Sequence, residues 1–324
     1  MPRTALDRII GESPSISRLL DLVRTVASKD VKVLIQGERG TGKELIANAI
    51  HTLSNRSNMP FIKINCAILN RDLLTSELFG HVKGSFTGAI STRTGLILSA
   101  EGGSIFLDEI GDLSLDAQAA ILRFLQEGEV RPIGSLQTFN VDVRVISATN
   151  KNIEEAMEKG IFREDLYDRL NGFSLKIPPL RERREDIPSL VDHFIKKYNQ
   201  RYNENVRGFT REAMEILLDY PWRGNVRELE NMVSRAVILS QGKSRIGLSQ
   251  IPDILPGDGH KYLGDSRQTF ILRIIREKGR TTVRDIQARL SISDRTIRDH
   301  LHQMVRSGLV KPERGRKGIY YVPA

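Results

Sequence analysis

The chain has 324 residues, of which 40% are hydrophobic and 27% charged, with 49 Lys/Arg against 40 Asp/Glu. This fits two or three globular domains, and Cys66 as the only cysteine excludes a disulfide framework or a thiolate zinc site. No apolar run approaches the roughly 20 residues of a membrane helix, and residues 1–11 lack the apolar core of a secretory signal, so a cytosolic chain is expected.

In chain order, the apolar run at 31–35 predicts a strand and the pattern at 45–53 a helix. Between them lies Gly37-Glu38-Arg39-Gly40-Thr41-Gly42-Lys43, a G-x-x-x-x-G-K spacing. Glycines there let backbone N–H groups converge on phosphate oxygens, and the helix N-terminus adds positive potential. Lys43 is placed to neutralise the β- and γ-phosphates, while Glu44 stands where a Ser/Thr ligand of Mg²⁺ is usual. The bland alternative is a glycine turn before a helix.

Further strands are predicted at 61–64, 104–107 and 143–146, and helices at 113–125 and 153–159. The alternation argues for a parallel α/β sheet. The strand at 104–107 runs into Asp108-Glu109. After a P-loop, such a carboxylate pair reads as a hydrolysis pair: Asp108 holding Mg²⁺ through water and Glu109 polarising the attacking water. Phosphoryl transfer also needs cationic charge at the γ-phosphate, for which Arg163 and Arg169 are candidates. Surface salt bridges are the alternative for both.

After Pro178-Pro179 no further strands are expected before the C-terminal region. Helices over 186–202, 210–220 and 225–240 form a small helical subdomain. Pro256, Gly257, Gly259 and Gly264 cluster with Asp258 and His260, which predicts a linker at 254–266. The expected division is 1–178 for the α/β core, 179–253 for the helical lid, 254–266 for the linker and 267–324 for the last domain.

Residues 261–324 carry 15 Lys/Arg and 6 Asp/Glu, so the whole +9 excess lies there. Phe270, Ile271, Ile274 and Ile275 give one helical face, and Val283, Ile286 and Leu290 a second over 281–290. Ser293 reads as the N-cap of a third helix carrying Ile297, Leu301, Met304 and Val305. A basic, glycine-containing hairpin spans 309–322. Three helices and a hairpin resemble a winged helix-turn-helix. Arg295, Thr296 and Arg298 begin the third helix, where base edges of double-stranded DNA are reachable. Arg314, Arg316 and Lys317 on the wing face phosphates or a minor groove. A protein-docking winged domain with solvated arginines is the alternative.

Several segments together resemble the AAA+ ATPase domain of bacterial sigma-54-dependent transcription activators. They are Ile10-Gly-Glu-Ser13, the P-loop with Glu44, Ile64-Asn-Cys66, Glu77-Leu-Phe-Gly-His81, Gly84-Ser-Phe-Thr-Gly-Ala89, Phe106-Leu-Asp-Glu-Ile-Gly111, Ser147-Ala-Thr-Asn150, residues 162–171, and Tyr220 to Asn231. The match covers about 8–240, and Gly84–Ala89 is the family's own signature. Ser85 stands where alanine is commoner in the family, Arg223 where proline is common, and the family's usual terminal helix-turn-helix is of another type.

The resemblance implies an AAA+ P-loop sheet with a helical lid, ATP and Mg²⁺ as cofactors, and ATP hydrolysis in a ring, expected to be hexameric. It implies that Gly37 to Glu44 is the Walker A segment, with Glu44 normal for the family, and Asp108-Glu109 the Walker B pair. Asn65 is implied as a switch residue pairing with Glu109, and Asn150 as sensor I. Arg163 and Arg169 would be fingers on a neighbouring copy's ATP, and Arg227 the sensor II arginine. Ile9, Ile10 and Gly11 lie where the family wraps adenine. The loop Gly84, Ser85, Phe86, Thr87, Gly88 and Ala89 would touch sigma-54, converting phosphate loss into work on the RNA polymerase holoenzyme. The bland reading of that loop is a β-turn with Phe86 in the core. Only about seven residues precede this domain, so the activity is expected to be either unregulated by this chain or controlled by a separate protein binding in trans, with trans control the favoured expectation. Two other readings share the motifs: a DNA-binding repressor or scaffold that only reports ATP, and an AAA+ remodeller of some other protein.

Overall fold

The computed structural model describes residues 5–67, 71–86, 89–240, 242, 244–247, 250, 259–290, 292–315 and 318–324. The chain divides after Arg183 into two units.

The first unit is built on a five-stranded parallel sheet. Its strands are β1 (Val33–Gln36), β2 (Phe61–Asn65), β3 (Ser104–Asp108), β4 (Arg144–Thr149) and β5 (Phe173–Lys176), in spatial order β2-β3-β4-β1-β5. Each strand of the centre is buried on both faces, which is why β1, β3 and β4 read as continuous apolar runs. Alternate residues feed two cores. Leu34, Ile105, Leu107 and Val145 pack on one face with Leu78 and Ile121. Val33, Ile35, Phe106 and Ile146 pack on the other with Ile16, Val23 and Ile50.

Helices cover both faces: α1 (Pro14–Ala27), α2 (Lys43–Thr52), α3 (Arg71–Phe79), α4 (Leu115–Glu127), α5 (Ile153–Glu158) and α6 (Glu164–Leu170). Ser13 caps α1, its Oγ accepting the Ile16 N–H at 3.3 Å, with Pro14 at the first helical position. At the other end of α1, the buried Arg144 donates to the Ala27 and Val26 carbonyls at 2.7 and 2.8 Å. Two short antiparallel pairs, Gly80–His81 with Arg93–Thr94 and Glu129–Val130 with Phe139–Asn140, stand outside the sheet. The chain ends of β1, β3 and β4 are neighbours and point the same way, which gathers residues 37–43, 108–109 and 150 at one edge.

The second unit opens with three helices, α7 (Ile187–Tyr202), α8 (Arg211–Asp219) and α9 (Asn225–Ile238). A parallel pair, Gly208–Phe209 with Arg245–Ile246, corrects the expectation of no strands here. Two paired residues per strand are too few to leave a periodic signal, although Phe209 and Ile246 are both buried. Trp222 is fully enclosed, its indole N–H donating to the Leu217 carbonyl at 2.7 Å.

A helix α10 (Gly259–Lys278) follows, so residues 259–266 are helical despite their glycines, while 254–258 lie outside the described residues. Then come α11 (Val283–Leu290), α12 (Asp294–Arg306) and an antiparallel hairpin of β6 (Val310–Gly315) and β7 (Gly318–Pro323). Ile271, Ile275, Ile286, Ile297, Leu301 and Met304 are all fully buried, joining the three apolar faces in one small core. Thr281 and Tyr321 exchange backbone hydrogen bonds at 3.1 and 2.8 Å, tying the hairpin to the start of α11.

Candidate functional site

The P-loop lies between the end of β1 and α2. Gly42 precedes α2 with φ +103°, a left-handed conformation that a side chain would strain, and so lets the chain enter the helix directly at Lys43. Lys43 is only 7% exposed. Its Nζ donates to the Gly37 carbonyl at 3.1 Å and to Glu109 Oε1 at 3.3 Å. Thr41 Oγ1 donates to the Glu38 carbonyl at 2.8 Å, folding the loop on itself. Glu38 receives the Arg181 guanidinium at 2.6 and 2.9 Å, and Arg183 donates to the Thr41 carbonyl at 3.3 Å. These two arginines frame the loop and were not singled out by sequence; the Arg181-Glu-Arg-Arg184 run was their only signal. Glu44 is in the first turn of α2 and pairs with Lys63 at 3.0 Å. Ile9 packs against the same core, with Ile10 and Gly11 half-buried beside it in the chain.

The acid pair closes the other side. β3 carries Asp108 to the sheet edge, and Glu109 follows in a left-handed backbone conformation, φ +54°. Glu109 bridges two loops: Oε1 meets Lys43, and Oε2 accepts the Asn150 backbone N–H at 3.1 Å. Asp108 is half-buried and accepts the Glu109 N–H at 3.1 Å. Burial, and then the Glu109 charge, push its carboxyl above the ordinary range. A carboxylate so placed gains from a cation beside it, which fits the Mg²⁺ implied by the motif. Among the described residues no cluster of three or more His, Cys, Asp or Glu forms a cage, and Mg²⁺ shared between one carboxylate and phosphates needs none.

Asn150 Oδ1 is buried with no hydrogen-bond partner in the structure, an acceptor open to a water or a ligand. Asn65 sits beside Asp108 in register. Its Oδ1 accepts the Ala67 N–H at 2.9 Å, and no Asn65–Glu109 hydrogen bond occurs among the described residues. Cys66 is buried next to these carboxylates, and burial, followed by the Asp108 charge, pushes its thiol up to about 12, so it is inert.

Two of the candidate arginines, Arg163 and Arg169, lie on or beside α6 in the first unit. Arg163 caps α6 by position, with its guanidinium exposed and paired to Asp165 at 3.0 and 2.6 Å. Its backbone N–H is held by buried Gln118 Oε1 at 2.9 Å. Gln118 Nε2 donates in turn to the Leu113 and Ile161 carbonyls at 3.0 and 2.9 Å. Arg169 is exposed near the end of α6, beside Lys32, whose amine is lowered by burial first and by this guanidinium second. Arg227 is exposed on α9 in the second unit.

The signature loop rises from the Gly80–His81 pair. Gly84 N–H donates to the Ala89 carbonyl at 2.9 Å, so the loop closes at its neck. Phe86 is 42% exposed and meets the buried His81 ring edge-on at 5.1 Å between centroids; it is not a core residue. His81 Nδ1 lies 2.7 Å from Ser76 Oγ. Ser85 Oγ is buried without a hydrogen-bond partner, and Thr87 and Gly88 lie outside the described residues.

In the second unit, Ser293 Oγ accepts the Thr296 N–H at 3.2 Å and lies 2.7 Å from Thr296 Oγ1, so Thr296 is engaged in the cap. Arg295 is exposed, and Arg298 pairs with Asp294 at 2.7 Å on the same face. Arg314 is exposed on β6 opposite Ile319, and Arg316 and Lys317 lie outside the described residues. Arg280 stacks over Tyr320 at 4.0 Å, a hairpin contact that sequence did not signal.

Three family models match the chain. Residues 9–176 match the Sigma-54 interaction domain, 181–262 an AAA+ ATPase lid domain, and 269–311 a winged helix-turn-helix DNA-binding domain. Among curated relatives, the transcriptional regulatory protein ZraR of Salmonella typhimurium is 52% identical over 235 residues, covering 72% of this chain and 53% of ZraR. GlrR of Escherichia coli is 51% identical over 234 residues, with the same two shares. The phenol regulator MopR of Acinetobacter guillouiae is 48% identical over 242 residues, covering 75% of this chain and 43% of MopR. The chain thus spans about half the length of these relatives. Crystal structures of NtrX from Brucella abortus superpose with a TM-score of 0.71. The complex with ATP is 31% identical and covers 93% of this chain and 70% of NtrX; the complex with ADP is 30% identical.

Proposed function

The chain belongs to the sigma-54 interaction domain family of AAA+ proteins, and on that premise we propose that it hydrolyses ATP to remodel sigma-54 RNA polymerase at promoters. The observation that carries the reading is the Glu109 carboxylate, joined to Lys43 on one loop and to the Asn150 amide on another. A base held between the phosphate-binding lysine and the backbone N–H of Asn150 is arranged for phosphoryl transfer to water. The ATP and ADP complexes of NtrX support the nucleotide assignment.

In this reading the P-loop amides and Lys43 bind the phosphates, Asp108 holds the cation through water, and Glu109 takes the proton of the attacking water. Bound there, Mg²⁺ would supply charge neutralisation for the transferring phosphate, with Asp108 as the residue that would hold it. Asn150 would sense the γ-phosphate, Asn65 would act as the switch, and Ile9, Ile10 and Gly11 would line the base. Arg163 and Arg169 would serve the neighbouring copy's nucleotide, and Arg227 would close from the lid, which makes turnover depend on a ring, expected to be a hexamer. The loop at 84–89, in which Phe86 is 42% exposed, would contact sigma-54. The winged domain would tether the ring to double-stranded DNA through Arg295, Thr296, Arg298, Arg314, Arg316 and Lys317.

The proposed parts are a core at 1–178, a lid at 179–253 and a DNA-binding domain at 267–324, working in the cytoplasm and open to a regulator in trans. Among the described residues no helix is long and apolar enough to cross a membrane. In vitro transcription from a sigma-54 promoter tests the whole: open-complex formation is expected with ATP and not with a non-hydrolysable analogue. Equal transcription in both would overturn the reading.

A further inference from the structure

Lys151, next to Asn150, joins two loops of the first unit. Its Nζ donates to the Asp112 carboxylate at 2.5 Å and to the Gly111 carbonyl at 3.0 Å. Its backbone N–H donates to Thr149 Oγ1 at 3.1 Å. Gly111 permits the approach: a Cβ there would lie 2.8 Å from Thr149 Oγ1 and 3.3 Å from Lys151 Cδ. Across the same seam, Glu109 Oε2 accepts the Asn150 N–H. Segment 109–112 is therefore fastened to segment 149–151 at both ends.

The fastening matters because Glu109 holds φ +54°, a conformation that a non-glycine residue keeps only where its surroundings over-determine it. The surroundings are this seam, plus the Asp112 N–H donating to the Glu109 carbonyl at 2.9 Å. We infer that the Lys151–Asp112 pair is a positioning device for hydrolysis, fixing the base Glu109 in register with Asn150. The inference rests on the hydrolytic reading above. The pair is partly exposed, with Lys151 at 41% and Asp112 at 23%, and such pairs contribute little to global stability. Its loss should therefore appear in the chemistry and not in the fold.

The test compares the full chain with Lys151→Ala, Lys151→Arg and the exchanged pair Asp112→Lys with Lys151→Asp. In Lys151→Ala, kcat for ATP should fall about tenfold with KM and Tm unchanged, since a small displacement of the base is felt in the rate. Lys151→Arg and the exchanged pair should recover most of the loss. A kcat within twofold of the unaltered chain would overturn the inference. So would a joint loss of kcat, ATP affinity and Tm that Lys151→Arg does not restore. Amide hydrogen exchange without nucleotide gives a second readout: the Asn150 amide should exchange faster in Lys151→Ala, and unchanged exchange overturns the fastening. If the unaltered chain released no phosphate, the hydrolytic reading alone would fall, and the exchange result would still decide the role of Lys151.

Discussion

Replacing Glu109 by Gln alters one atom and two contacts. In the native site Oε1 lies 3.3 Å from Lys43 Nζ and Oε2 accepts the Asn150 N–H at 3.1 Å. In Glu109→Gln one of these oxygens becomes an NH₂ group. Whichever way the amide turns, one donor then faces another: the Lys43 ammonium or the Asn150 N–H. A hydrogen bond to a charged group contributes about 1.5–3 kcal/mol. Lys43 keeps its bond to the Gly37 carbonyl at 3.1 Å, so a loss near the lower end, about 2 kcal/mol, is expected. For a domain of this size that corresponds to a Tm lower by about 4–8 °C. Turnover should fall by about 10²–10⁴, the usual worth of a positioned base, while ATP still binds. Phosphate release, calorimetry and binding of a fluorescent ATP analogue measure the three quantities. Added ATP should narrow the Tm deficit, because its phosphates give Lys43 a new partner. Turnover within tenfold of the native chain would refute the base assignment, and an unchanged Tm would refute the bridging geometry.

Asp108→Asn should stabilise the fold while abolishing Mg²⁺-dependent turnover. The folded-state carboxyl is raised by burial and by Glu109. Its stability contribution is therefore present below the ordinary Asp range, near ~3.9, and is lost as pH rises through the folded-state value. The Tm advantage of the variant should thus be seen at pH 7 and vanish near pH 3; the reverse trend would refute the assigned cause. Thr87→Ala should leave ATPase intact and abolish capture of sigma-54 with a transition-state analogue in a pull-down, and undiminished capture would remove the loop from the interface. Arg314→Ala should weaken DNA binding equally across sequences and reduce the salt slope by about 1, read from gel shifts at several salt concentrations.

Four of the five sheet strands and the P-loop turn were legible because each rests on short-range chemistry; the edge strand β5 (Phe173–Lys176), with only one buried residue, was not. Apolar runs ending in Gly37, Asp108 and Asn150 announce parallel strands whose loops share an edge, and a left-handed turn before Lys43 needs the glycine that stands there. What sequence did not disclose depends on long-range pairing. Glu109 takes Lys43 and the Asn150 amide, while Asn65 turns to Ala67; the choice among these partners is made by loop geometry, which no local pattern encodes. Residues 259–266 misled for the opposite reason. Their glycines weaken a helix by about 1 kcal/mol each, yet α10 runs through them into a face buried by Ile271 and Ile275. The Gly208–Phe209 and Arg245–Ile246 pair escaped notice because two residues carry no period.

Gln118 grips the chain at the Arg163 amide, leaving the guanidinium tethered at its root and held at its tip by a single water-bathed carboxylate. For an arginine that serves a second copy, this separates holding from handing over. The guanidinium can leave Asp165 for a phosphate by rotating about its own bonds, on the picosecond-to-nanosecond scale of exposed side chains, with α6 and the sheet standing still. If Arg163 serves a second copy as proposed, its engagement needs only a side-chain rotation once the copies meet.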